Sequence, residues 1–176
     1  MDCRVPRIES GVFATLEAQM RSLMLLPALL STAAAGQPAP TLNAQSAQAI
    51  IAGCAAHSSA RQQSHAIVVV DTGGHIVAAL RMDGNGTGIF DFARAKAEAA
   101  AAWGFSTVQM LENSRGTPGF ADAPHVVIVP GGLPVFSADG KSRLGAVGVS
   151  GEAPADDAAC AEAGIVAAKL RSSRAN

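Results

Sequence analysis

Apolar residues recur at Leu42, Ala47, Ile50, Ile51 and Cys54, a helical spacing, and Thr41 stands where an N-cap belongs. The polar cluster from His57 to Ser64 ends that helix. His65 to Asp71 is then a run of β-branched residues, which reads as a buried strand. Thr72-Gly73-Gly74 makes a turn, and His75 to Arg81 returns as the second strand of a hairpin. Asp83 to Gly88 is a loop by composition.

The pattern changes period after the loop. From about Phe90 to Trp103 an Ala-rich helix is expected, with Phe90, Ala93, Ala97 and Ala101 on one stripe and Arg94, Lys96 and Glu98 pointing elsewhere. A shorter helix covers Thr107 to Glu112, and Asn113 to Pro124 is irregular. Three strands follow, His125 to Val129, Leu133 to Ser137 and Leu144 to Ser150, joined by tight turns at Pro130-Gly131-Gly132 and Ala138 to Lys141. A last helix carries Asp156 and Asp157 in its first turn, favourable at the positive end of its dipole, and Ala159, Ala163, Val166 and Leu170 on one stripe.

The order is helix, two strands, two helices, three strands, helix. All strand links but one are hairpins, so a mainly antiparallel sheet follows. The expected class is α+β: one five-stranded sheet flanked by helices, a profilin/PAS-like α/β/α sandwich.

Composition narrows the function. The 176 residues are 49% hydrophobic, which excludes a disordered chain, and their formal net charge of -1 argues against a nucleic-acid binder. No apolar run reaches membrane-spanning length. Met20-Arg21-Ser22, the apolar stretch Leu23 to Leu30 and the small-residue exit Ala33-Ala34-Ala35 form a secretory signal pattern. It assigns residues 1–35 to an address, with 1–19 as an over-extended start, and 36–176 to the domain. The location is then periplasmic or secreted; an amphipathic helix on a cytoplasmic protein is the alternative. Cys54 and Cys160 are either two small buried hydrophobes or a disulfide suited to an oxidising compartment.

Catalytic motifs of the GxSxG, HExxH and Walker types are absent from the sequence. His65 and His125 each open a strand at the rim of the sheet, where an imidazole is a locally bonded group, an axial ligand or an acid/base. Arg81 and Lys96 border the Gly-rich loop or the helix after it, and are solvated charges unless they converge on a carboxylate. Gly131-Gly132 serves a turn, or bares backbone N–H groups to a ligand.

Several blocks together resemble the GlcG/HbpS family of haem-binding-like proteins. They are Val68-Val69-Val70-Asp71-Thr72-Gly73-Gly74-His75 with Arg81-Met82-Asp83-Gly84, then Lys96-Ala97-Glu98-Ala99-Ala100, where Ala99 replaces the family's usual Thr. Pro130 to Val135, Gly145 to Gly151 and Asp156-Asp157 follow in order, so the resemblance spans about Leu42 to Leu170. It implies an α/β/α sandwich, a homo-oligomer from dimer to octamer, and haem as cofactor, with haem sequestration, degradation or redox sensing in some members. Thr107 is the nearest match to a Thr implicated in haem binding in the family.

Haem needs an apolar slot, an axial donor and cations for its propionates. Phe90, Phe92, Trp103, Phe105 and Phe120 are candidates for the slot, and His125 or His65 for the donor, with His125 preferred as the iron ligand. Arg81, Lys96 or Arg94 would supply the cations. The expected function is an exported haem-binding protein whose partner is a small molecule. One alternative is an enzyme or accessory protein for a small carboxylate or hydroxy-acid, with Arg81, Lys96 and the Gly131-Gly132 amides lining one narrow pocket. Another is an oligomeric sensor or scaffold without catalysis.

Overall fold

The computed structural model describes residues 41–175; the signal pattern within residues 1–35 lies outside them. Helix α1 is Ala44–Ala60, and its cap is Asn43, two residues later than Thr41: the Asn43 side chain accepts the Ser46 amide at 2.8 Å. Strands β1 (Ala66–Asp71) and β2 (Ile76–Arg81) form the expected hairpin. Its turn is held by the Asp71 carboxylate, which accepts the Gly73 and His75 amides at 2.8 and 3.0 Å. Helix α2 (Thr87–Trp103) begins a turn earlier than the Phe90 start, and α3 (Thr107–Gly116) runs a turn longer than expected. Strands β3 (Gly132–Phe136) and β4 (Arg143–Ser150) and helix α4 (Pro154–Ala167) complete the order.

The sheet has four strands, not five, in the order β2-β1-β4-β3, and every neighbouring pair is antiparallel. The segment His125 to Val129 is not a strand. Prolines flank it at 124 and 130, His125 adopts a left-handed φ of 57°, and the Val126 amide turns back onto the Ala123 carbonyl. The outer edge of β3 instead pairs with the C-terminal segment: Phe136 and Arg171 exchange backbone hydrogen bonds of 2.7 and 3.2 Å.

Helices cover both faces. On one, Leu42, Ile50 and Cys54 of the α1 side and Cys160, Ala161 and Ile165 of α4 bury Ile67, Val69, Val135, Val147 and Val149. The buried stripe of α4 is thus Asp157, Cys160, Ala161, Gly164 and Ile165; Ala159 and Val166 of the expected stripe face outward. On the other face Ala93, Ala97, Ala100 and Ala101 of α2 cover Ala66, Val68, Val70 and Ala146. The backbones touch there: a Cβ on Gly148 would collide with the Ala93 carbonyl and the Ala97 amide, and one on Gly132 with the Lys96 carbonyl.

Cys54 and Cys160 are disulfide-bonded, tying α1 to α4 across 106 residues of sequence. The link removes much loop-closure freedom from the unfolded chain. Replacing both cysteines with Ala should lower stability by about 3–5 kcal/mol in urea unfolding. A loss below about 1 kcal/mol would show that the bond does not constrain the chain.

Candidate functional site

Three of the polar candidates are fully buried. Lys96 lies on α2 with no exposed surface, although its helical neighbours Arg94 and Glu98 pair in solvent. Its Nζ donates to Asp157 Oδ2 at 2.8 Å and to the Val149 carbonyl at 2.9 Å, and it sits 4.8 Å from the Phe92 ring centroid. His65 is equally buried: Nδ1 is 2.8 Å from Ser58 Oγ, and Nε2 is 3.5 Å from Asp157 Oδ1. Ser58 Oγ donates to the Cys54 carbonyl at 2.9 Å, so it is the acceptor for an Nδ1–H of His65, while Nε2 faces the Asp157 carboxylate without a hydrogen bond. Ser58 Oγ also lies 3.1 Å from Cys160 Sγ, so Ser58 sits between the disulfide and His65.

The third, Thr107, accepts the Gly132 amide at 3.0 Å. Gly131 keeps a φ of 126°, and its carbonyl accepts the Val149 amide at 2.9 Å. A Cβ at Gly131 would press on Lys96 Nζ and Asp157 Cβ. The structure therefore gathers His65, Lys96, Thr107, Gly131 and Gly132 around the core, where they hold α2, α4 and the sheet together.

Burial sets the electrostatics of this cluster. It pulls the His65 imidazole below its ordinary value, against the opposing pull of Asp157. It likewise lowers Lys96 and raises Asp157, each opposed by the ion pair they form. Arg81 lies elsewhere, donating to the Asn85 carbonyl and lining a small notch with Thr87 and Phe90. Arg81, Lys96 and the two glycines do not line a common pocket.

A large cleft lies at the opposite end of the sheet. About 820 Å³ of space is walled by Trp103, Phe105, Leu133, Pro134 and Phe136, with polar contributions from Thr72, Ser106, Gln109, Arg143 and the segment Ser172 to Arg174. That volume falls within the range of about 300–1,000 Å³ typical of small-molecule sites. Trp103 is fixed by its Nε1–H, which donates to the Pro124 carbonyl at 3.1 Å, and by Phe105 and Phe120, whose ring centroids are 5.9 and 5.3 Å away. Of the five aromatics expected at a slot, Trp103 and Phe105 reach this cleft; Phe90 lines the notch beside Arg81 and Phe92 covers Lys96.

Two cations here escaped the sequence reading. Arg143 opens β4 and packs on the backbone of Gly104, which ends α2 at a φ of 76°. Arg174 stands on the C-terminal segment. Among the described residues neither forms an ion pair, and no acidic residue lines the cleft. The available signal was a lone charge heading an otherwise apolar strand. His125 lines a second cleft of about 350 Å³ with Gly73, Gly74, Arg94, Glu98 and Ala102; the two clefts share Thr72.

Residues 42–166 match the family described as haem-degrading protein HbpS-like. The chain belongs to the HbpS-like family. No curated protein matches it in sequence. Among solved structures, a double mutant of Streptomyces reticuli HbpS is similar at 26% identity, covering 80% of this chain and 97% of that one with a TM-score of 0.68. Klebsiella pneumoniae ORFY is similar at 24% identity, 76% and 94% coverage and a TM-score of 0.69. PduOC, solved as a haem complex, shares 21% identity over 76% of this chain and 99% of its own, also at a TM-score of 0.69. The HbpS-like fold is thus an antiparallel sheet between helices, and the polar cluster that holds α2 is interior to it.

Removing one partner of that cluster should be costly. Lys96→Met leaves the Asp157 carboxylate buried without its cation, and should cost about 3–5 kcal/mol in chemical denaturation. Adding Asp157→Leu to it should restore at least half of the loss. Equal losses in the single and double variants would disprove the pairing.

Proposed function

We propose that this HbpS-like protein binds haem in the large cleft and sequesters it. The observation that carries the reading is the composition of the cleft: Trp103, Phe105 and Leu133 set in a lining of Thr, Ser and Gln, with two guanidinium groups that have no ion-pair partner, and no acid, among the described residues. An apolar dianion such as haem fits that set, because Trp103 and Phe105 offer exposed ring surface while planar guanidinium forks suit carboxylates. Membership of a family described as haem-degrading and likeness to a protein solved with haem support the same ligand. When bound, haem supplies one-electron and diatomic-ligand chemistry at iron. The residues of this chain bind and orient it: Arg143 and Arg174 hold carboxylates, Trp103 offers a ring face, and His125, across the shared Thr72 wall, is the imidazole available as iron donor.

Hemin added to the protein at one equivalent should give a shifted Soret band. His125→Ala should keep binding but change the axial-ligand bands. A spectrum that stays that of free hemin would sink the reading.

Export and self-assembly belong to the same proposal. A buried disulfide supports an oxidising compartment, periplasmic or secreted. Exposed Ile76 on the edge strand β2 and Val166 on α4 support a homo-oligomer. The mature mass should start at Gly36; an intact product from Met1, recovered from cells of the source organism, would overturn export.

A further inference from the structure

The lining of the large cleft has a selective gap. Among the described residues it contains Thr, Ser, Gln, Gly, Pro, Leu, aromatic and Arg residues, but no His, Cys, Met, Tyr or Lys. The usual protein donors to a haem iron are therefore missing from the walls that would enclose the ring. His125 is in the adjoining cleft, and His65 is sealed in the core with Ser58 and Asp157. What the walls do offer is complementary to the organic part of the ligand. Trp103 presents a partly exposed ring whose indole N–H is already bonded to Pro124, so little side-chain freedom remains to be lost on stacking.

The two cations are also held in place. Arg143 is anchored in β4, in register with Phe136, and is backed by the Gly104 backbone. Arg174 lies between two backbone ties of the C-terminal segment: Arg171 to Phe136, and the Ala175 amide to the Gly140 carbonyl at 3.1 Å. Each guanidinium can donate two N–H bonds to one carboxylate, and no acid among the described residues lines the cleft.

We propose that the cleft recognises tetrapyrrole dicarboxylates by their ring and their two acid groups, and so takes iron-free porphyrins as well as haem. The proposal rests on the tetrapyrrole reading of this cleft, and names the ligand class that its walls select. Iron coordination by His125 adds to binding and does not determine it.

Trp103 is the sole tryptophan of the chain, so quenching of its fluorescence reports this cleft directly. Three probes are titrated against the full protein: hemin, iron-free protoporphyrin IX and protoporphyrin IX dimethyl ester. Hemin and protoporphyrin IX should bind with Kd values within about tenfold of each other, and the ester at least about tenfold more weakly than the free acid. Arg174→Gln and Arg143→Gln should each weaken both acids about tenfold, with the far-UV circular dichroism unchanged. Arg174, on the exposed terminal segment, tests the clamp without touching a strand. Binding of hemin without binding of protoporphyrin IX overturns this inference and leaves the haem reading intact. Binding of protoporphyrin IX without hemin overturns the haem reading and, with it, the shared recognition of haem and iron-free porphyrin. An ester as tight as the acid refutes the carboxylate clamp, and if neither acid binds, both readings fall.

Discussion

Helix α2 lies on the sheet at a separation that only glycine permits, and the remaining architecture is arranged around that contact. Gly148 and Gly132 have no room for a Cβ beneath the α2 backbone, and the facing helix positions are Ala93, Ala97, Ala100 and Ala101. Close packing of this kind compensates for small side chains: backbone atoms supply dispersion contacts that a Leu or Phe would supply elsewhere. It accounts for a chain with 18 glycines and only 4% aromatic residues that still forms a dry interior. It also fixes where α2 ends. Gly104 turns the chain at the far end of the sheet, and that places Trp103 and Phe105 over the cleft and Arg143 against the helix terminus.

Such a contact leaves little depth for polar groups, yet Lys96 points straight into it. A buried ammonium is tolerable only when fully paired. Asp157 from α4 and the Val149 carbonyl from β4 supply the partners, so one side chain from α2 passes the edge of the sheet and joins the helix layer on its other side. The Asp157 carboxylate is used twice more, accepting the Glu152 amide at 3.1 Å and facing His65. This cluster links the two helix layers by ionic and hydrogen-bonding contacts, at the edge that faces away from the cleft. Replacement by apolar groups would be possible in energy but would lose the direction that the paired charges impose on α2 and α4.

Much of this was legible in the sequence, and the failures share a cause. The β1–β2 hairpin, the α2 alanine stripe and the β4 run each rest on local pattern, and each formed where the pattern put it. Val126 to Val129 carries the same apolar signal as a strand, but strand formation needs a neighbour with free edge groups, and the C-terminal segment had taken that edge through Arg171. Lys96 looked solvated because its neighbours Arg94 and Glu98 are; its partner is 61 positions away. Arg143 and Arg174 carried no local signal of a shared site. They meet only because β4 and the terminal segment flank β3 from opposite sides.

The two sets of cations consequently play different parts. Lys96 is the cation inside the family-like block that begins with Lys96-Ala97, yet its charge is already matched within the core, so it has none left for a ligand. Coulombic attraction to an incoming anion must come from groups whose own field is uncompensated, and at the cleft Arg143 and Arg174 form no ion pair among the described residues. Their separation in sequence has a mechanical consequence as well. Arg143 is part of the sheet and moves only with it, whereas Arg174 depends on two backbone ties at Phe136 and Gly140.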